Sequence, residues 1–167
     1  MEERDEVDAL VTGWSGLPAP TIAALELSKR ISRIGAVFHD ALRAGLADLG
    51  LTYAEFDVLA ALHRSGPPYR MKPSELSKSL FLTSGGTSNV LQRLAAAGYV
   101  EREDNPEDAR SRWVQLTDEG RRVAVKALDV SVRAHDAVVA GIPEETVRQA
   151  ADALRPVLAA LGRRRFR

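Results

Sequence analysis

Residues 72–120 constrain this chain most. Two short helical patterns meet there at a tight turn, and two extended segments follow around a polar, proline-containing loop. That order is the layout of a helix-turn-helix with a wing. Pro73 suits the first turn of a helix, where its missing N–H costs nothing, and Glu75 complements the positive end of the helix dipole. This helix should span residues 73–79. Thr83 reads as the N-cap of the next, its hydroxyl accepting from a donor two or three positions on. Gly85 and Gly86 follow at once, each costing about 1 kcal/mol of helix propensity relative to Ala. A helix that keeps both has a use for a bare N-terminal end. Val90, Leu91 and Leu94 supply its buried side, and Gly98 fits its stop.

The flanking sequence reads as helices. Residues 5–14 allow a short first helix, ended by Gly13, Gly16, Pro18 and Pro20, with Trp14 able to pack back on the fold. Over 22–49, Leu27, Ile31, Ile34, Phe38, Ala41, Leu42 and Gly45 recur at three- and four-residue steps, giving one apolar stripe on a long helix. Thr52 and Glu55 have capping-box spacing and predict a helix over 53–63. The prolines at 67 and 68 predict a loop. Residues 99–103 and 112–116 read as strands of a hairpin around Asp104-Asn105-Pro106-Glu107-Asp108. Thr117 can cap a helix with the stripe Val123, Ala127, Val130, Ala134 and Val138, and Pro143 opens a last one with Val147, Leu154, Leu158 and Leu161, kinked near Pro156.

The expected fold is therefore mainly α with a small β-hairpin wing. Residues 1–49 hold an N-terminal segment and long helix, 50–120 the winged helix-turn-helix lobe, and 121–167 the C-terminal helices. The terminal helices carry more apolar stripe than so small a lobe can cover. Packing them against those of a second copy, as a two-fold homodimer, is the economical solution.

Composition narrows the function. There is no Cys, which removes disulfides, thiolate metal sites and cysteine redox sensing together. His39, His63 and His135 lack metal-ligand spacing and are expected in solvated or core roles, so no metal or other cofactor is expected. No phosphate loop, nucleophile elbow or HExxH is present, and the chain is not expected to be an enzyme. No apolar run approaches the roughly 18 residues of a membrane span, and the acidic start is unlike a signal peptide, so a cytoplasmic protein without a membrane partner is expected. The formal net charge is zero, so any case for nucleic acid rests on where the charges lie.

Their placement favours double-stranded DNA. Ser84, Gly85, Thr87, Ser88, Asn89 and Gln92 cluster at the head of the second helix, and Asn and Gln can bond adenine bidentately. Lys72, Ser74, Lys78 and Arg93 flank them near where phosphates would lie, with only Glu75 opposing, and Thr83 sits at the turn. Arg110 and Arg112 on the hairpin are placed for a minor groove, although Arg110 can equally pair with Asp108. The competing reading is a winged helix that binds another protein and no duplex.

With these residues in view, the chain resembles the MarR family of transcriptional regulators from residue 22 to residue 161. The resemblance rests on LTSGGTSNVLQRL, on Gly98-Tyr99-Val100-Glu101-Arg102, and on the wing from Asp104 to Ser111 leading to Val114-Gln115-Leu116-Thr117. It implies an obligate homodimer with intertwined terminal helices on a pseudo-palindromic operator, acting as a repressor released by a small anionic or phenolic ligand. The family's wing usually reads Asp-Arg-Arg; here Ala109 replaces the first Arg and leaves Arg110 as the minor-groove candidate. The urate-responsive subgroup adds an N-terminal helix with a Trp, an Asp in the second core helix and an Arg shortly after it. Trp14, Asp57 and Arg64 match these and imply a ligand site; core packing for Trp14, and an Asp57 pair with Arg64 or Arg43, are the alternatives. Val90 stands where that subgroup carries an Arg in the recognition helix, which argues against urate itself.

Overall fold

The structure, a computed structural model, describes residues 4–14, 16–80, 84–104 and 112–162. Among them are seven helices and three strands in the order α1 (Glu6–Val11), α2 (Ala19–Ala47), α3 (Tyr53–Arg64), β1 (Arg70–Met71), α4 (Pro73–Ser79), α5 (Ser84–Ala96), β2 (Val100–Asp104), β3 (Arg112–Leu116), α6 (Asp118–Val139) and α7 (Glu144–Gly162). Most boundaries follow from local chemistry. Thr52 and Glu55 form the expected capping box on α3, Pro73 opens α4, and the Thr117 hydroxyl accepts from the Gly120 N–H at 2.9 Å to start α6. Two expectations shift. The prolines at 18 and 20 begin α2 rather than merely ending α1, because Pro is compatible with a first helical turn; α1 itself stops at Val11.

One element was not expected. Arg70–Met71 pairs antiparallel with β3, making a three-stranded sheet in the order β1-β3-β2 where a two-stranded hairpin was predicted. Two residues carry no periodicity of their own, so this strand exists only through its partner. The prolines at 67 and 68 do form the predicted turn, and the chain leaves it directly into the sheet.

The core lies where α3, α5, the inner sheet face and the first half of α6 converge. Leu46, Val58, Leu59, Leu62, Leu76, Leu94 and Val114 are fully buried there. At the junction, the backbone of Gly120 lies against the Tyr99 carbonyl so closely that a Cβ would collide with it. Gly45 similarly lets α2 approach Val130 of α6. The terminal helices are different. Along α2 only Leu42 and Leu46 are buried, leaving Ile31, Ile34 and Val37 exposed, and α7 buries no residue at all, although Val147, Leu154, Leu158 and Leu161 lie along it. Pro156 lies inside α7. No helix among the described residues is long and apolar enough to cross a membrane.

Candidate nucleic-acid interface

Helices α4 and α5 form the helix-turn-helix, and the wheel of α5 separates its two jobs. Val90, Leu91 and Leu94 face the core, and Gly85, Ser88, Asn89 and Gln92 lie exposed on the opposite side. Steps of three and four residues bring those four into one row along the outer surface. Asn89 and Gln92 thus present amide groups, and Ser88 a hydroxyl, in a line suited to base edges. A Cβ placed on Gly85 would meet nothing within 4 Å, so packing inside the protein does not require a glycine there.

Thr87 departs from expectation. It is only 2% exposed, and its Oγ1 accepts a hydrogen bond from Ser77 Oγ at 2.9 Å. Its side chain falls on the core side of the wheel and ties α5 to α4, away from the exposed row. Thr83, the wing from 105 to 111 with Ala109 and Arg110, and the side chain of Ser84 lie outside the described residues.

The flanking charges are more engaged than the sequence implied. Glu75, expected as the opposing charge, accepts from the Lys72 N–H at 2.9 Å and so is occupied in starting α4. Arg93 has an opponent from outside the motif: its Nε lies 3.1 Å from Oε1 of Glu55, a residue 9% exposed. Lys72 Nζ sits 5.3 Å from the ring centre of Trp113, and the Arg70 guanidinium 5.0 Å from the same ring while also pairing with Glu103 at 2.8 Å. Composition gave no signal for Trp113 and Arg70. The register does: Glu103 pairs with Trp113, and Arg70 with Gln115, which puts all four on the outer sheet face. Ser74 and Lys78 are exposed on α4, and Arg112 is exposed at the start of β3, opposite Asp104.

The three residues matched to a ligand site are separated in character. Asp57 is half-buried on α3, and burial pushes its carboxyl above the usual range, against the pull of Arg64 and His39. Arg64 is exposed two turns further along the same helix, and Trp14 is half-buried just beyond α1. Among the described residues no ion pair joins Asp57 to either Arg; Arg43 pairs instead with Asp40 at 3.1 Å. Val90, at the subgroup's Arg position, is 7% exposed and part of the core, where an Arg would bury its charge. A cavity of about 550 Å³ lies elsewhere, between the end of α3 and the start of α6, lined by His63, Asp118, Arg121, Arg122, Val125 and Lys126. None of the trio borders it.

An exposed polar helix face beside a small antiparallel sheet, on a lobe joined to long helices, places the chain among winged helix-turn-helix proteins. Residues 49–111 match the MarR family profile. The transcriptional regulator PecS of Dickeya dadantii is 29% identical over 141 residues, covering 84% of this chain and 85% of PecS. The transcriptional repressor Rv2887 of Mycobacterium tuberculosis is 36% identical over 107 residues, 64% of this chain and 74% of that protein. Among solved structures, Sco3205 of Streptomyces coelicolor, a MarR-family regulator in complex with DNA, is similar with a TM-score of 0.73 and 28% identity, covering 83% of this chain and 88% of that one. The chain belongs to the MarR family of transcriptional regulators.

Proposed function

We propose that this regulator works as a two-fold dimer on a pseudo-palindromic duplex, each copy laying α5 in the major groove and its wing in the neighbouring minor groove. The observation that carries the reading is the face of α5: Gly85, Ser88, Asn89 and Gln92 exposed in one row, backed by the buried Thr87, Val90, Leu91 and Leu94. The relative Sco3205 was solved with DNA, and Rv2887 is a repressor, so repression is the expected sense of regulation. Residues 50–120 then form the reading lobe, and 1–49 with 121–167 the dimer layer. Two such lobes would meet half-sites about 34–36 Å apart, one helical turn.

Release by a small anionic or phenolic ligand is part of the proposal. Its support is Asp57, a half-buried carboxyl whose burial opposes ionisation, with Arg64 on the same side of α3 to hold an anion. A ligand binding the native dimer would raise its apparent stability, so thermal-shift screening of phenolic acids detects it.

The decisive experiment is a gel-shift against the duplex upstream of the chain's own gene, repeated at several salt concentrations. Binding should fall steeply with salt, and Arg110→Ala should weaken it by removing the cation that the minor groove's negative potential attracts. Gln92→Ala should instead change base preference at one position by roughly 1–3 kcal/mol. A chain that binds no duplex even at low salt would be a protein-interaction module instead.

A further inference from the structure

Arg93 sits on the flank of α5, between the exposed row and the buried one, in the helix's last turn. Its partners form a closed set. Glu55 Oε2 accepts from the Thr52 N–H at 2.8 Å and from the Thr52 hydroxyl at 2.7 Å, which starts α3. Glu55 Oε1 is left for Arg93 Nε at 3.1 Å, and Arg93 also donates through Nη2 to Thr52 Oγ1 at 3.3 Å. One carboxylate, 9% exposed, therefore serves both the N-cap of α3 and the side chain of α5. At the other half of α5, the Thr87 hydroxyl is tied to Ser77 of α4. A helix packed on a core by Val90, Leu91 and Leu94 alone can rock about its apolar stripe, because hydrophobic contact is not directional. Two polar ties, one to each neighbouring helix, oppose that rocking.

We infer that Arg93 is a positioning residue, held by Glu55, that sets the angle of α5 on α3 and hence which bases the exposed row can reach. This rests on the proposed duplex reading and changes one part of it, since Arg93 no longer serves mainly as a phosphate contact. The same turn of α3 also carries Tyr53, whose ring lies 4.8 Å from that of His39 on α2. The first turn of α3 is thus gripped by α2 on one side and grips α5 on the other. A ligand acting at Asp57, one turn along, would shift α5 through this pair, although Val90 cannot carry a charge-based link.

The test compares affinity for the operator-bearing duplex and for a scrambled duplex of equal length, over a salt series, using the full chain. Glu55→Gln keeps the capping box, which accepts Gln at that position, so the fold survives. If Arg93 positions α5, then Glu55→Gln, Arg93→Lys and Arg93→Ala each lose about tenfold in preference for the operator, the worth of one charge-assisted hydrogen bond. Scrambled-duplex affinity should hold for Glu55→Gln, and the double variant Glu55→Gln/Arg93→Ala should be no worse than Arg93→Ala. The inference is overturned if Arg93→Ala weakens both duplexes alike and lowers the salt slope by about 1, while Arg93→Lys and Glu55→Gln bind as the natural chain does. A natural chain with no preference for the operator overturns the duplex reading itself, whatever the variants do.

Discussion

Two glycines in the lobe have opposite reasons for being there, and a single methyl group separates them. At Gly120 a Cβ would strike the Tyr99 carbonyl, which already accepts from the Thr117 N–H at 3.1 Å and has little room to retreat. Gly120→Ala should therefore destabilise the fold by about 1–3 kcal/mol in denaturant titration, as overpacking does. Gly85 has open space around the same position. Gly85→Ala should stabilise the free protein by about 0.5–1 kcal/mol through helix propensity, yet weaken duplex binding, because the methyl group would stand between α5 and the bases. Equal binding by that variant would show that the bare helix end has no role in reading. Asp57 gives a residue-level pH prediction. Its folded pKa is raised by burial, so the folded state holds this proton more tightly than the unfolded chain, and stability falls as pH rises from the ordinary 3.8 through the raised value. Asp57→Asn should raise Tm at neutral pH, with the gain fading in acid and gone below 3.8. A gain that stays constant across pH would mean that ionisation is not its source.

At the scale of elements, α1 is the part held most by charge. Only Val7 of its six residues is buried. Arg30 of α2 holds Asp5 and Asp8, each at 2.7 Å, and Arg33 holds Glu6 at 2.6 Å. The Asp5 carboxyl is kept below its usual range chiefly by the Arg30 hydrogen bond, so this attachment is present above pH 3.8 and is lost as pH falls through the depressed pKa. Arg30→Ala should strip hydrogen-exchange protection from the α1 amides while leaving Tm almost unchanged, and high salt should do the same in the natural chain. Protection that survives both would assign the docking to Val7 instead. Elements with their own start signals were legible from sequence: Thr52 with Glu55, Pro73 and Thr117 each mark a helix within a single turn. Strand β1 was not, because its pairing with β3 spans more than forty residues of chain and leaves no local trace.

For the whole molecule, the exposed stripes of α2 and α7 are the surface on which the proposed dimer rests. Leu158 is 71% exposed in the single chain. In the proposed dimer it would be covered, and Leu158→Glu would remove that burial twice, roughly 3–6 kcal/mol or at least a hundredfold in the dimer Kd. Light scattering should show a shift to monomer with the lobe still folded, since its core draws on none of α7. An unchanged dimer would place the interface on another face.

What the sequence determined by itself is whatever is decided within a turn or two of chain: the caps, the helix-turn-helix, the strands of the hairpin and the apolar stripes. The tertiary structure decided which polar groups remain available. Thr87 looked like a base reader and is buried against Ser77; Arg93 looked like a phosphate contact and pairs with Glu55. A side chain's type and its place on the wheel are local facts. Its partner comes from another helix 10 or 38 residues away, as those two pairs do, and only the packing of the helices brings that partner within hydrogen-bonding distance.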